Sequence, residues 1–214
     1  MKSDTHFLTT EKTGIVITCG NGNAKNILLV LHGYGQLAET FQNEFSKINL
    51  EEYFLVFPTA LNHFYLKAGK GDVGASWMTK YFRENDIHNN NVYLSKVYQT
   101  FILSKLNSDK NFNVLGFSQG AATLVRWLAM NNIQPHQIIL WGAVFPPDME
   151  SEEYLNKLKK LHWLYFIGTD DEFISNEEKQ KQMSFFKQNQ FNLQWIEYNG
   201  KHQLNFNILQ NYIK

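Results

Sequence analysis

The sequence lacks most of the features that would place it at once in a secreted, membrane-bound or polyanion-binding class. It has a single cysteine, Cys19, among 214 residues. That excludes an intramolecular disulfide, and in its apolar stretch a small buried thiol is the ordinary reading. The opening MKSDTHFLTTEK has no apolar run of the signal-peptide kind, and no segment nears the roughly 18 apolar residues of a membrane span. The expectation is a cytoplasmic protein without integral membrane association. A charge of one sign is missing too: Lys plus Arg and Asp plus Glu balance at 20 each, so no global field gathers nucleic acid or an anionic surface. There is no Ser/Pro-rich linker, no low-complexity tract and no internal repeat.

What remains is the composition of a globular chain, 43% hydrophobic, 15% aromatic and 19% charged. A chain of this length can bury one substantial core, and residues 1–214 are expected to form a single domain. Short apolar or β-branched runs read as strands at Gly14–Thr18, Ile27–Leu31, Tyr53–Phe57, Phe112–Leu115, Gln137–Trp141, Trp163–Ile167 and Leu193–Tyr198. Between them, apolar residues at three- and four-residue spacing read as helices near Ala38–Ile48, Asn91–Leu106, Gln119–Met130, Glu152–Lys160, Asn176–Gln188 and Asn205–Tyr212. Such alternation predicts an α/β fold, a mostly parallel twisted sheet with helices on both faces and no large lid domain. The asparagines at 89–91 suggest a helix entrance. Pro58 to about His88 is long for a connection, and part of it, around Trp77, is expected to border the active site.

Residues 113–120 read NVLGFSQG, a strand running into GFSQG and then into the helical pattern AATLVRWLAM. A GxSxG serine works as a nucleophile only on a turn so tight that its backbone is strained, with the hydroxyl projecting above the sheet. Gly116 and Gly120 supply the room, and the following helix aims its positive dipole end at the reacting centre. The plain alternative is that Ser118 merely caps that helix. A serine also needs a base, for which histidine, with an unperturbed pKa of about 6.5, is suited. The chain order Ser, acid, His leaves His136, His162 and His202. The first two sit at strand entrances, the wrong end of a parallel sheet; His202, in EYNGKHQL, follows the last strand. The acid should follow the preceding strand, and WLYFIGTDDEFI offers Asp170, Asp171 and Glu172 together. On these grounds Asp170 and Asp171 are nearly even. ILLVLHGYG, at 27–35, is a buried strand breaking into a glycine turn, which makes the Tyr34 amide the natural second oxyanion donor beside that of Gln119.

With LHGYG, GFSQGA, GTDDEFI and GKH in that order, nearly the whole chain resembles the phospholipase/carboxylesterase family of α/β hydrolases, which includes acyl-protein thioesterases. The resemblance implies Asp171 as the acid, the amides of Tyr34 and Gln119 as oxyanion donors, and a tryptophan-containing stretch matching SWMTKYF at 76–82. Ala121, Ser175 and Met78 depart from the family pattern and bear on the pocket more than on the chemistry. The reading is therefore a serine carboxylesterase acting on short- to medium-chain esters through Ser118, His202 and Asp171, with Trp77, Met78 and Phe173 as acyl-pocket candidates. Lysophospholipids and acyl-thioesters suit the same chemistry, and a non-catalytic hydrolase-like binding protein is the rival from another class. No metal or organic cofactor is implied; the partner is a small ester, and nothing in the sequence demands a homodimer.

Overall fold

The computed structural model of the chain describes residues 2–213. Its elements are β1 (Val16–Gly20), β2 (Asn26–Leu31), α1 (Ala38–Phe41), β3 (Tyr53–Pro58), β4 (Asn62–Lys67), β5 (Lys70–Ser76), α2 (Arg83–Val97), β6 (Asn111–Phe117), α3 (Gln119–Met130), β7 (Gln137–Trp141), α4 (Glu152–Leu158), β8 (Trp163–Gly168), α5 (Asn176–Gln188), β9 (Leu193–Tyr198) and α6 (Phe206–Leu209). Seven strands form one sheet in the order β1-β3-β2-β6-β7-β8-β9, with β1 antiparallel to β3 and every other pair parallel. The expected α/β architecture is present.

The central strands are apolar along their whole length because both faces are covered. In β2, Leu28 and Val30 enter one core with Phe41, Phe45, Phe206 and Leu209, while Ile27, Leu29 and Leu31 enter the opposite core with Leu94, Leu124 and Phe186. Burying each such side chain contributes about 1.5–3 kcal/mol. Helix α3 is buried almost all round, because it lies on β6 and is itself flanked by α2 and α4.

Four expectations need correction. The segment 58–88 is not a structureless loop. It holds the antiparallel hairpin β4–β5 and the first turns of α2. Helix α2 begins at Arg83, so asparagines 89–91 lie inside it rather than at its entrance. Its inward face includes the polar residues Asp86 and Asn90, which carry no hydrophobic signal: Asp86 accepts from Asn62 Nδ2 and the Thr79 amide at 3.0 Å each, and Asn90 donates to the Trp77 carbonyl. Past Val97 this segment continues as π and 3₁₀ turns to Lys105. The helices expected at Ala38–Ile48 and Asn205–Tyr212 are single α-turns, the first passing into a 3₁₀ turn at Gln42–Phe45.

Candidate active site

Strand β6 delivers Ser118 at its carboxyl end with φ 52° and ψ −120°. This is a strained conformation for a non-glycine residue, costing on the order of 1–3 kcal/mol. It is held by the Ser118 amide donating to the Trp141 carbonyl at 2.9 Å and by two close approaches only glycine permits. A Cβ on Gly116 would lie 2.4 Å from Ala121 Cα, and one on Gly120 2.4 Å from the His32 carbonyl oxygen. Ser118 occupies the helix-cap position but makes no side-chain capping bond. Its Oγ instead lies 2.9 Å from His202 Nε2.

The imidazole of His202 bridges the serine to Asp171, with Nδ1 2.8 Å from Asp171 Oδ2. Of the three neighbouring acids, Asp171 is the one that meets the imidazole, and its side chain has no solvent exposure. Its other oxygen accepts from the Phe173 and Ile174 amides at 2.9 and 3.2 Å, so both carboxylate oxygens are hydrogen-bonded. Asp170 is exposed and contacts only the Thr169 hydroxyl through its side chain. The third acid, fully exposed Glu172, accepts from the His202 amide at 3.3 Å, and hydrogen bonds from its own amide and that of His202 hold its carboxyl below the usual range. Base and acid loops are also laced by backbone: the Thr169 amide donates to the Tyr198 carbonyl and the Asp170 amide to that of Gly200, both at 2.9 Å. His136 is exposed and His162 half-buried, and both lie at strand entrances at the opposite edge of the sheet.

The loop after β2 carries Tyr34, whose side chain is 61% exposed and stacks on Phe64 of the hairpin with ring centres 5.1 Å apart. Among the described residues no acceptor is bonded to the Tyr34 amide, and none to the amide of Gln119 at the first position of α3. Both donors therefore stand free at the edge of the site. Neighbouring amides are occupied: Gly33 donates to Gln36 Oε1 at 2.8 Å and Gly35 to the Ala75 carbonyl at 2.8 Å. The Gln119 side chain is built into the same joint, accepting from the Trp77 amide at 2.9 Å and donating to the Met78 carbonyl at 2.8 Å.

The acyl-pocket candidates separate. Trp77 is a correction, because its indole is entirely buried and donates to the His32 carbonyl at 2.8 Å. It supports the loop after β2 from behind and presents no surface to a ligand. Met78 is half-buried and faces α2 and α3 beside Ile87, Thr123 and Trp127. Phe173 is 74% exposed and meets His202 edge-on, ring centres 4.7 Å apart, so it alone of the three flanks the imidazole.

Two further residues of the site escaped sequence reasoning. Gly142, just past β7, has φ +57°, and a Cβ there would lie 3.1 Å from the His202 ring and 3.5 Å from Asp171 Oδ2. The signal was available in its place at a strand's carboxyl end. Buried His32 bonds the Gly33 carbonyl through Nδ1 at 2.7 Å and accepts the Ala60 amide on Nε2 at 3.0 Å, and burial pushes its pKa down to about 4. It is a neutral brace beneath the loop that carries Tyr34. Cys19, at the far edge strand, is partly buried, and burial raises its thiol pKa. A cavity of about 670 Å³ lies elsewhere, between residues 9–14 and α2, and none of its walls belongs to the serine site. Among the described residues no cluster of His, Cys, Asp and Glu is arranged to hold a metal ion, and no helix is long and apolar enough to cross a membrane.

A parallel sheet that presents a strained serine, an imidazole on its hydroxyl and a helix N-terminus beside it defines an α/β-fold serine hydrolase. The chain belongs to the FSH1 serine hydrolase family, whose model matches residues 22–206. No curated protein matches it in sequence. Its fold is similar to that of acyl-protein thioesterase 2 from Zea mays, at 18% identity and a TM-score of 0.67 over 94% of this chain and 96% of that one. It is similar also to a phospholipase/carboxylesterase from Dyadobacter fermentans (17%, TM-score 0.68, 96% and 98% covered). The carboxylesterase of Bacillus cereus aligns at 15% with a TM-score of 0.66 over 92% and 91%.

Proposed function

We propose that the protein hydrolyses carboxylic esters of short to medium acyl chain through an acyl-serine intermediate, residues 1–214 acting as one catalytic domain. The observation that carries the reading is the continuous hydrogen-bonded line from Ser118 Oγ through His202 to buried Asp171. In this reading Ser118 attacks the carbonyl carbon while His202 Nε2 takes its proton, and the negative charge on the carbonyl oxygen is met by the amides of Tyr34 and Gln119. Collapse expels the alcohol, protonated by His202. Water then attacks the acyl-serine with the same base and frees the acid. Asp171 keeps Nδ1–H pointing away from the serine and stabilises the imidazolium while it exists.

The α3 dipole adds to the field at the oxyanion, and exposed Phe173 and Tyr34 offer apolar surface on which a modest acyl chain can lie. The test is hydrolysis of p-nitrophenyl esters from acetate to palmitate by wild type and Ser118→Ala, with the corresponding thioesters in parallel. Turnover by the wild type, greatest on the shorter esters and lost in the variant, is the expected result. Preference for thioesters would move the assignment of substrate, and a folded protein inert to every substrate and to a serine-directed phosphonate would overturn the mechanism.

A further inference from the structure

Lys179, on the first turns of α5, is 6% exposed, and among the described residues no carboxylate lies within ion-pairing distance of it. An ammonium without a counter-ion is a costly group to bury, and a methionine would fill similar space without that cost. Its Nζ donates to two carbonyls, Gly168 at 2.7 Å and Thr169 at 2.9 Å. These carbonyls belong to the two successive peptide units that precede Asp170, Gly168–Thr169 and Thr169–Asp170. Each unit is fastened on its other side as well, by the Thr169 amide on the Tyr198 carbonyl and the Asp170 amide on the Gly200 carbonyl. Gly200 stands two residues before His202. The two peptide planes that lead into Asp170, one residue before Asp171, are thus gripped between α5 on one side and the end of β9 with the loop carrying His202 on the other, and the Asp171 amide itself donates back to the Gly168 carbonyl at 3.4 Å.

We propose that Lys179 is a positioning residue of the hydrolytic site, its buried ammonium fixing the strand end that carries Asp171 and so the 2.8 Å contact of that carboxylate with His202. The proposal rests on the reading of Asp171 as the acid. It does not require Lys179 to touch substrate. A charge suits the task because a cation can satisfy two carbonyls at once and its hydrogen bonds are stronger than those of a neutral donor. Without it the Gly168 carbonyl keeps only the long bond from the Asp171 amide and the Thr169 carbonyl loses the ammonium donor, so the peptide planes are free to turn.

The test is a double-mutant cycle on p-nitrophenyl ester hydrolysis with Lys179→Met, Asp171→Asn and the pair. Lys179→Met alone is expected to lower kcat by about 10- to 100-fold, as the loss of a supporting group or a small misplacement does, with KM changed less than about twofold. In the Asp171→Asn background the same substitution is expected to change kcat by less than about twofold, because no competent acid is left to position. The low-field proton of the His202–Asp171 hydrogen bond should broaden or move in Lys179→Met. Equal factors in both backgrounds, or an unchanged kcat, would overturn the proposal. If Asp171→Asn itself left kcat intact, the acid assignment would fail and not the role of Lys179 alone. Should Lys179→Met not fold, Lys179→Gln, which keeps a neutral donor, is read through the same cycle by the same criteria.

Discussion

Replacing Asp171 by Asn keeps the shape of the side chain but offers an amide where a carboxylate now accepts from His202 Nδ1. The imidazole is then favoured in the wrong tautomer, and kcat should fall by on the order of 10⁴. Asp170→Asn, at an exposed carboxylate away from the imidazole, should stay within about twofold of wild type. Steady-state kinetics of the two variants side by side decide the acid. Gly142→Ala is the steric counterpart: the methyl group would press on the His202 ring from 3.1 Å at a backbone angle that disfavours any side chain. A fall in kcat of about 10- to 100-fold is expected, with the far-ultraviolet spectrum unchanged. That Ser118 and His202 would meet was legible because strand, serine, glycine and helix follow one another in a pattern with one mechanical purpose. The choice between Asp170 and Asp171 was not, since adjacent residues share composition and periodicity and differ only in where the turn sends them. Lys179 was invisible because its value lies in what approaches it from distant segments, whereas Gly142 carried a signal only in its place at the carboxyl end of β7.

At the level of elements, the joint between the β4–β5 hairpin and α2 carries the loop after β2 that holds Tyr34. Ala75 exchanges backbone bonds with Gly35 and Gln36, and Trp77 fills the space behind. Trp77→Ala should therefore cost about 3–5 kcal/mol of stability through the cavity it opens, measured by urea unfolding, while leaving the ranking of acyl-chain lengths as in the wild type. A changed ranking would return Trp77 to the substrate. The alternation of strands and helices gave away the sheet, because parallel strands covered on both faces are apolar throughout. The hairpin was lost for the opposite reason: LKAGKGDV is glycine-rich and charged, one strand pairs around an irregularity at Tyr65–Lys67, and its side chains are mostly exposed. Helix α2 hid its start behind polar residues that are buried by hydrogen bonding and not by hydrophobicity.

For the molecule as a whole, His32 links pH to stability. Burial holds its pKa near 4 in the folded chain, below the ordinary 6.5. The unfolded chain therefore binds this proton more readily, and stability is full above about pH 6.5 and falls as pH drops toward 4. The loss from this group alone is about 3 kcal/mol across that window. In His32→Asn the part of the pH dependence due to this residue should disappear from denaturation midpoints measured between pH 4 and 7, and an unchanged slope would show that another group governs it. The brace also ties the loop after β2 to Ala60, just past β3, and to Trp77, so acid should disturb activity and folding together.

The tip of the hairpin has a different consequence. Gly69 and Gly71 adopt left-handed backbone angles with nothing within 4 Å of where a side chain would begin, so the chain can be severed or lengthened there without disturbing any packing. A cut between Gly69 and Lys70 would divide the site into two unequal pieces. Ser118, Gln119, Asp171 and His202 would remain on one fragment and Tyr34 on the other, and the pairing of β2 with β6 and of β4 with β5, together with the bonds of Ala75 to Gly35 and Gln36 and of Trp77 to His32, would reunite them. The hairpin tip is thus a natural seam for a split enzyme whose turnover reports that two tethered fragments have met.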